Sequence, residues 1–402
     1  MKKKVLALLL AGAMAFSLAA CGGSDDGGDS QADTTDGEGA EESDIQLAMI
    51  TDSGDITDQS FNQTTYETCK AWGEENGVDF TYYKPESDSD EAREASVDQA
   101  VADGANVIVM PGYMFAAAIV DKAGDYPDVK FVALDVGAGD LLEKGVGEGY
   151  TYNPDDYDVT EYYSTDNVYC CTYQEEISGY MAGYAAVKLG YKHLGFLGGM
   201  QVPAVTRFGY GYVQGADAAA KELGIEGEVS IEYVCGGQFY GDADITAYMD
   251  TWYGTNGVEV VFACGGGIYT SAAEAAAKTG GKVIGVDSDQ KATIDGQYGE
   301  GITVTSAMKG LAPTVETVLD AIRDGEWDNY VGKIENLGMV SDNPEENYVQ
   351  LPLESTQWSD SFTEDDYRAL VKAIDGGEIE ISNDITAMPE TSIKVTDYGS
   401  IK

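Results

Sequence analysis

The chain has 402 residues, of which 43% are hydrophobic, so a sizeable buried core is expected and general disorder is not. It carries 71 Asp and Glu against 23 Lys and Arg, a formal net charge of -48. Such a charge disfavours nucleic acid and anionic membrane surfaces as partners, because both are negatively charged. It also disfavours nucleotides relative to nucleosides, since a phosphate would approach against a negative field.

The N-terminus has the pattern of an export signal. Three lysines precede the apolar run of residues 5–20, which is short for a membrane span and carries the flanks of a secretory signal. The run ends in Leu-Ala-Ala-Cys followed by two glycines, which resembles a bacterial lipobox and implies cleavage before Cys21 and acylation of its sulfur. An ordinary signal followed by a structural cysteine is the alternative. Residues 1–20 are therefore predicted to be a lipoprotein signal peptide, with the mature chain anchored by lipid to the outer face of the cell membrane.

Residues 21–44 are predicted to be an acidic, disordered tether. From residue 24 to residue 44 there are nine acidic side chains and no basic ones, among Gly, Ser, Thr and Ala. Such a segment buries too little apolar surface to fold and repels itself into an extended chain. The spacing of its aspartates matches no EF-hand loop. The rest of the chain has the size of roughly two domains.

Beyond the tether, short apolar runs rich in β-branched residues alternate with longer helix-like segments. Near-continuous apolar strands between helices are typical of parallel sheets covered on both faces. Two such series, each about the size of a domain, predict an α/β protein with two doubly wound lobes. The predicted strands are 46–50, 78–83, 107–110, 130–134, 167–170, 192–197, 229–233, 258–263 and 282–286, and the predicted helices are 63–75, 91–103, 113–124, 174–189, 207–223 and 269–279.

Two regions depart from this alternation. Residues 140–166 hold eight acidic residues and five tyrosines with little periodicity, which predicts an inserted surface loop near the junction of the lobes, able to reach the mouth of a cleft. In the tail, residues 363–375 are helix-like and are followed by a Gly-Gly stop signal. Residues 379–381 are a candidate short strand.

The cysteines and the single histidine argue against several kinds of site. Five cysteines follow Cys21, an odd number without a Cys-x-x-Cys spacing, so we interpret most of them as small buried hydrophobic residues and leave one disulfide open. His193 alone cannot supply a multi-histidine metal site, and it precedes an apolar strand as a structural residue would. No nucleophile elbow or zinc signature is present. The hypothesis of a glycoside hydrolase with paired carboxylates has no support beyond the abundance of acidic residues. We therefore expect a protein without cofactor or metal that is not an enzyme.

The loop between the first strand and the first helix carries the strongest functional signal. In an open α/β sheet, ligands bind where the carboxyl ends of strands meet helix N-termini. Here that junction offers a carboxylate (Asp52), an aromatic face (Phe61) and a carboxamide (Asn62), but no Gly-rich P-loop and no lysine. These groups suit a flat, uncharged, hydrogen-bonding ligand such as a nucleobase. Phe61 and Phe208 as core aromatics are the alternative.

Seven motifs in a fixed order resemble those of one family. They are Thr-Asp-Ser-Gly-Asp-Ile-Thr-Asp-Gln-Ser-Phe-Asn at 51–62, Phe-Val-Ala-Leu-Asp at 131–135, Glu-Ile-Ser-Gly-Tyr-Met-Ala-Gly-Tyr at 176–184, Gly-Phe-Leu-Gly-Gly-Met at 195–200, Arg-Phe with two spaced glycines at 207–215, Gly-Val-Asp-Ser-Asp-Gln at 285–290, and Thr-Ser-Ala-Met-Lys at 305–309. Over residues 45 to about 335 the chain is similar to the basic membrane protein lipoproteins, the purine nucleoside receptors of ABC transporters. The last 60 residues match that pattern weakly.

The resemblance implies a type I periplasmic-binding-protein fold, with two α/β lobes, a multi-strand hinge and the ligand held in the cleft between the lobes. We expect the N-terminal lobe to comprise residues 45–166 plus about 288–330, and the C-terminal lobe residues 167–287 plus about 331–402. The helix with Gly179 and Gly183, a spacing otherwise known from paired membrane helices, is expected to sit close to a sheet.

The resemblance also assigns ligand-binding roles. Phe61 and Phe208 would stack on opposite faces of the base, and Asn62 and Asp135 would hydrogen-bond its edge, with Asp52 in the same cleft. The remaining residues would hold the ribose hydroxyls or lie close to them: Asp287, Lys309 and the backbone around Gly266. On its own, Lys309 would be read as a solvated surface lysine, and the Gly265–Gly267 run as a tight turn.

The resulting hypothesis is a monomeric, lipid-anchored binding protein that delivers nucleosides, with purine nucleosides favoured, to an ABC permease. A receptor for another small polar ligand, such as a sugar or a quorum-signal molecule, is the first alternative on the same fold. A nucleoside hydrolase and a surface adhesin are alternatives from other classes.

Overall fold

The computed structural model describes residues 44–402. The predicted signal peptide, Cys21 and nearly all of the predicted tether lie outside the described residues. The described chain forms thirteen strands: β1 Gln46–Ile50, β2 Asp79–Tyr83, β3 Val107–Pro111, β4 Lys130–Leu134, β5 Val168–Tyr173, β6 His193–Gly198, β7 Ser230–Cys235, β8 Val260–Cys264, β9 Lys282–Asp287, β10 Thr303–Lys309, β11 Ile334–Leu337, β12 Val349–Gln350 and β13 Lys394–Ser400.

The described residues form eleven α-helices, together with several short 3₁₀-helices and one short π-helix. They are α1 Phe61–Asn76, α2 Asp90–Ala102, α3 Ala116–Lys122, α4 Ala138–Val146, α5 Glu175–Lys188, α6 Pro203–Leu223, α7 Ala243–Thr251, α8 Tyr269–Thr279, α9 Lys291–Tyr298, α10 Leu311–Arg323 and α11 Glu364–Asp375. Each of the nine predicted strands and six predicted helices overlaps one of these elements.

The strands form two sheets, which define two lobes. The first lobe has the strand order β2-β1-β3-β4-β5-β11, and the second has β13-β7-β6-β8-β9-β10-β12. Every pairing is parallel except that of β10 with β12. Strands β1–β5 and β6–β10 occupy the same places in their sheets, so the lobes repeat one topology. The prediction of two doubly wound parallel-sheet lobes is confirmed.

The sheet pairing corrects the predicted lobe boundaries. Strand β5 pairs with β4 and β11 in the first sheet, whereas β10 pairs with β9 in the second. The predicted boundaries had placed β5 and β11 in the second lobe and β10 in the first. The chain passes between the lobes after β5, after β10 and after β11. The boundaries were wrong because an apolar strand has the same local pattern in either sheet, and only its neighbour assigns it.

Helices α5 and α6 pack backbone against backbone through four glycines. A β-carbon on Gly179 would lie 2.1 Å from the carbonyl oxygen of Phe208, and one on Gly183 would lie 2.1 Å from that of Tyr212. From the other side, Gly211 and Gly215 of α6 approach α5 equally closely. The close neighbour of the Gly179–Gly183 spacing is therefore helix α6, and not a sheet as the sequence suggested.

The tail packs on the second lobe in a way that the sequence predicted only in part. Helix α11 begins after Thr363, whose hydroxyl accepts from the amide of Asp366 at 3.2 Å, as the helix prediction required. Residues 379–381 form no strand. The last strand is β13, which pairs in parallel with β7 and covers that edge of the sheet. Between α11 and β13, Ser382 exchanges two hydrogen bonds of 2.9 Å with the side chain of Gln214, which fastens the segment to α6.

The acidic, tyrosine-rich region begins with a helix and continues as short turns. Helix α4 occupies its first residues, and Asp140 caps that helix by accepting from the amide of Gly137 at 2.8 Å. The prediction of an inserted surface loop over residues 140–166 was therefore wrong for residues 140–146, which belong to α4. All five cysteines of the described region are buried and free. Within residues 44–402 no helix is both long and apolar enough to cross a membrane.

Candidate functional site: a cleft between the two lobes

A cavity of about 600 Å³ lies between the lobes, at the carboxyl ends of their strands. This is where open α/β sheets bind ligands, because strand ends and helix N-termini expose backbone groups there. All eight residues singled out from the sequence line it: Asp52, Phe61, Asn62, Asp135, Phe208, Gly266, Asp287 and Lys309. The structure thus brings the predicted residues together, while their roles toward a ligand stay predictions.

Two aspartates occupy equivalent strained positions in the two lobes. Asp135 follows β4 with φ 57°, and Asp287 ends β9 with φ 65°. The two strands hold the same place in their sheets. A left-handed backbone is costly for a residue other than glycine, and such strain clusters at functional sites. Each lobe therefore presents one carboxylate to the cavity from the same topological position.

Lys309, the last residue of β10, joins these carboxylates. Its ammonium contacts Asp135 directly and lies 3.5 Å from Glu175 Oε1 and 3.7 Å from Asp287 Oδ1. Only 3% of its side chain is exposed. The three carboxylates raise the pKa of Lys309 although burial opposes the charge. The reading of this lysine as a solvated surface residue was wrong, since the strand that carries it ends inside the cleft.

Two phenylalanines and a tyrosine surround the same ammonium. The Lys309 nitrogen is 4.8 Å from the ring centre of Phe61, 5.5 Å from that of Tyr173 and 5.8 Å from that of Phe208. Phe61 comes from the first lobe and Phe208 from the second, where it packs edge-on against Phe262 with 5.9 Å between the ring centres. Cation–π contacts of this kind stabilise a desolvated ammonium. The arrangement offers two aromatic faces beside a hydrogen-bonding charge cluster.

Asn62 organises the first-lobe wall of the cavity. Its amide nitrogen donates to Asp52 Oδ1 at 2.9 Å and to Asp58 Oδ2 at 3.1 Å, while its oxygen accepts from the amide of Asp52 at 3.2 Å. Asp52 Oδ1 also accepts from the amide of Gly54 at 2.6 Å. Both amide hydrogens of Asn62 are thus engaged within the protein, and a ligand contact would require an exchange of one of these bonds.

The sequence missed a buried ion pair at the second-lobe wall. Glu175, the first residue of α5, is fully buried and accepts from Arg207 Nε at 2.6 Å. Burial raises the pKa of Glu175, opposed by Arg207 and Lys309. Arg207 itself lines the cavity, and the surrounding carboxylates raise its pKa. Two features of the sequence could have indicated this ion pair. Arg207 stands next to the predicted ligand residue Phe208, and two acids, Glu175 and Glu176, begin a helix that is otherwise mostly apolar.

Phe239 is a second residue that the sequence did not identify. It follows β7, lines the cavity, and lies against the glycines after β6 and β8. A β-carbon on Gly265 would lie 2.8 Å from the Phe239 ring, and one on Gly266 would lie 2.9 Å from its carbonyl oxygen. Both glycines have positive φ, 136° and 50° respectively. The Gly265–Gly267 run therefore makes room for the ring and backbone of Phe239 in the wall of the cavity.

Direct hydrogen bonds join the lobes beside the cavity. The Ser60 hydroxyl donates to Asp287 Oδ2 at 2.5 Å. The backbone oxygen of Gln59 accepts from Gln290 Nε2 at 3.0 Å, and its side-chain oxygen accepts from Thr293 at 2.8 Å. These bonds cross from the loop after β1 to the end of β9 and the segment that follows it. The structure is therefore a closed arrangement of the two lobes.

Comparison with known proteins agrees with this architecture. Residues 45–365 match the model of the Bmp family, described as ABC transporter substrate-binding protein PnrA-like. The chain belongs to the Bmp family. The ABC transporter nucleoside-binding protein BmpA of Lactococcus lactis is 30% identical over 346 residues, which cover 81% of this chain and 87% of that protein.

Solved structures show the fold of this Bmp-family chain. An ABC transporter solute-binding protein from Aeropyrum pernix matches with a TM-score of 0.61 and 22% identity, covering 85% of this chain and 88% of that one. One from Conexibacter woesei matches with a TM-score of 0.59 and 22% identity, covering 84% and 99%. The chain thus has the type I periplasmic-binding-protein fold. Its membership of the Bmp family makes it an ABC transporter substrate-binding protein.

The buried carboxylates of this Bmp-family cleft predict an acid-shifted stability optimum. Burial raises the pKa of Asp52, of Asp140 and of Asp287 to about 6 each. A carboxyl group with a raised folded-state pKa binds more protons when folded, so it destabilises the fold as the pH rises from about 4 to about 6. We expect the melting temperature to rise when the pH is lowered from 8 to 5.

Asp52→Asn tests this expectation, because the amide oxygen can still accept from Gly54 and Asn62. The variant should be more stable than the wild type at pH 8, by roughly 1–3 kcal/mol, and about half of that difference should remain at pH 5. Thermal unfolding of both proteins across this range measures the difference. An equal difference in melting temperature between the two proteins at both pH values would show that ionisation of Asp52 does not limit stability.

Proposed function

We propose that this ABC transporter substrate-binding protein is a lipid-anchored, extracytoplasmic receptor for nucleosides, with purine nucleosides favoured, that passes its ligand to the transporter's permease. The observation that carries the proposal is the pair of aromatic rings, Phe61 and Phe208, presented by different lobes to one cavity. A nucleobase can stack on such faces, and each stacking contact is worth roughly 1–3 kcal/mol. The nucleoside-binding relative in Lactococcus lactis supports the same ligand class.

The polar groups of the cleft suit the remainder of a nucleoside. Asp287 can accept hydrogen bonds from ribose hydroxyls, and Lys309 can donate to them. One oxygen of Asp135, Oδ1, is buried without a hydrogen-bond partner and can accept from a ligand. The acidic lining opposes a phosphate, so free nucleosides are preferred to nucleotides. Selectivity for ribose over deoxyribose follows, because a missing hydroxyl would leave a buried polar group unpaired.

The proposed mechanism of ligand capture is closure of the two lobes around the ligand. Phe61, Asn62 and Asp135 belong to the first lobe, whereas Phe208, Asp287 and Lys309 belong to the second. A ligand that contacts both sets stabilises the closed arrangement over an open one by its differential affinity. The closed form would then dock on the permease, as a monomer. A purified protein that binds ligand without converting it would agree with the absence of enzymatic activity that we propose.

Ligand-induced stabilisation tests the proposal. The purified protein, unfolded and refolded to remove carried-over ligand, is melted with inosine, guanosine, adenosine, uridine, hypoxanthine, deoxyinosine or ribose. At a thousand times its dissociation constant a ligand adds about 4 kcal/mol, a shift of several degrees. We expect shifts with the purine ribonucleosides and weaker ones with deoxyinosine. A shift with ribose alone would favour a sugar receptor, and release of free base from inosine would indicate a hydrolase.

Phe61→Ala should weaken nucleoside binding by about 5- to 150-fold, the equivalent of one lost stacking contact. Phe61 is only half-buried, so the fold should tolerate the change. Phe80→Ala is the matched control, since Phe80 is a half-buried phenylalanine of the same lobe that packs on Tyr66 and does not line the cavity. Calorimetric titration with inosine measures both. Equal affinities for the two variants would contradict stacking on Phe61.

A further inference from the structure

The connection that follows β4 is much longer than its counterpart in the second lobe. It spans residues 135–167, whereas the equivalent connection after β9 spans residues 288–302. Each connection begins with one helix, α4 in the first lobe and α9 in the second, and the extra chain after α4 forms a self-packed group of tyrosines. The ring centre of Tyr150 is 5.2 Å from that of Tyr152 and 5.5 Å from that of Tyr157, whose hydroxyl donates to the oxygen of Gly149 at 2.9 Å.

The added chain and helix α4 line one side of the cavity, and the part of the cavity on that side is here called the outer compartment. Its lining residues are Asp140, Glu143, Tyr150, Tyr152 and Pro154 from the first lobe, with Val202, Pro203 and Ile385 from the second. The compartment lies toward solvent, since Tyr152 is 77% exposed, whereas Phe208 deeper in the cleft is 2% exposed.

Part of the outer compartment comes from chain that the family model does not cover. Ile385 lies beyond residue 365, where the family match ends, in the segment that Ser382 and Gln214 fasten to α6. The seven sequence motifs contain inner residues of the cleft such as Phe61 and Phe208, but neither Tyr150 nor Tyr152. Of the eight lining residues, Ile385 therefore lies outside the family match and the other seven lie within it.

The chemistry of the outer compartment is apolar and acidic. Two tyrosine rings, two prolines, a valine and an isoleucine provide apolar surface, while Asp140 and Glu143 provide negative charge. The only basic residue between β4 and β5 is Lys144 of α4, which is paired with Asp90 at 2.6 Å and does not line the cavity. Arg207, whose guanidinium lines the cavity, donates to Glu175 and also attracts the carboxylate of Asp140. Such a wall favours apolar groups and hydrogen-bond donors or cations, and it opposes anions.

We propose that the outer compartment is a subsite for a substituent of the bound nucleoside, apolar along its length and ending in an ammonium or a similar donor. The inference rests on the proposed nucleoside-binding function and narrows the ligand to a modified nucleoside. The unmodified part occupies the inner cleft between Phe61 and Phe208. The substituent extends along Tyr150 and Tyr152 toward solvent and ends beside Glu143.

Titration calorimetry with adenosine derivatives tests the subsite on the full protein. The probes are adenosine, adenosine with an aminohexyl chain on its exocyclic amine, the same chain attached through the ribose 5′ carbon, and chains of equal length that end in a carboxylate. We expect the aminohexyl chain to tighten binding about tenfold at one of the two attachment points. The carboxylate chain at that point should give no gain. The two attachment points distinguish modification of the base from modification of the sugar.

Variants locate the effect. For each protein the affinity of the aminohexyl derivative is divided by that of adenosine. This ratio should fall toward one in Tyr152→Ala, an exposed position where folding is not at risk, and in Tyr150→Ala. Glu143→Gln should reduce the preference for the ammonium over the carboxylate end. Tyr82→Ala is the control and should keep the wild-type ratio, because Tyr82 is an exposed tyrosine on β2, the edge strand of the first-lobe sheet.

The outcomes separate the two proposals. If adenosine binds but no derivative binds more tightly, or if the gain survives both tyrosine replacements, the subsite is overturned and the nucleoside receptor stands. If neither adenosine nor any other unmodified nucleoside binds to refolded protein, the proposed function fails and the subsite with it. A derivative that gains affinity through Tyr150 and Tyr152 supports both.

Discussion

Lys309→Met is expected to abolish ligand binding and to lower the free energy of unfolding by about 3–5 kcal/mol at neutral pH. The ammonium of Lys309 is almost fully buried among the carboxylates of Asp135, Glu175 and Asp287. Methionine retains the length and apolar character of the side chain, so the change removes charge with little change of volume. Glu175 would then keep its pairing with Arg207, which also attracts Asp135, whereas Asp287 would keep only the hydrogen bond from Ser60. Uncompensated buried charge is among the largest single-residue penalties in proteins.

The pH dependence of the Lys309→Met defect distinguishes lost charge from lost packing. Burial already raises the pKa of Asp287 to about 6, and removal of the ammonium should raise it further. The variant can relieve its penalty by binding protons, so its melting temperature should approach that of the wild type as the pH falls from 8 to 5. Lys278→Met, at a surface ion pair with Asp250, is the control and should change little. A pH-independent defect would indicate lost packing instead.

The sequence predicted the site better than it predicted the lobes. The loop after β1 and the motif ends Asp135, Asp287 and Lys309 all follow apolar strands, and parallel strands bring their carboxyl ends to one edge. For that reason the residue types and their positions after strands were enough to place these groups in one cleft. Assigning β5, β10 and β11 to a sheet depends on which strand lies beside each, which a local pattern does not contain.

The residues that the sequence missed act through tertiary contacts. Glu175 looks like an ordinary acid in the first turn of a helix, a favourable place for a carboxylate. Only the packing of α5 beneath the cleft shows that it is buried between Arg207 and Lys309. Phe239 lies in a Gly-rich loop without periodicity, and its place follows from the space that Gly199, Gly265 and Gly266 leave for its ring.

The repeated topology of the two lobes accounts for the positions of the charged residues in the cleft. Asp135 and Asp287 occupy equivalent positions after equivalent strands, both in the left-handed region. Lys309 ends β10, the strand beside β9, and lies within 4 Å of both carboxylates. One cation therefore bridges the two lobes through a matched pair of acids. Lys309 donates to Oδ2 of Asp135, and Oδ1 has no partner. A ligand that hydrogen-bonds to Oδ1 and contacts the second lobe would add to the bridge, so ligand binding and lobe closure would be energetically coupled.

Gly215→Ala is expected to prevent folding or to destabilise the protein by more than about 4 kcal/mol, beyond the usual range for a single substitution. The new β-carbon would lie 1.9 Å from the carbonyl oxygen of Tyr180, which belongs to the backbone of α5 and cannot rotate away. Relief requires separation of α5 from α6, and α6 carries Phe208 and Arg207 into the cleft. The same displacement should therefore weaken ligand binding in any folded fraction.

Gly224→Ala and Gly227→Ala are informative controls for this prediction. A β-carbon at either position meets no atom within 4 Å, but Gly224 has φ 67° and ends α6, whereas Gly227 has no such backbone requirement. Gly227→Ala should be nearly neutral, and Gly224→Ala should cost about 1 kcal/mol from backbone strain alone. Chemical denaturation of the three variants ranks them. If Gly215→Ala fell between the two controls, the helices would have room to separate, and the close backbone contact between α5 and α6 would not limit the fold.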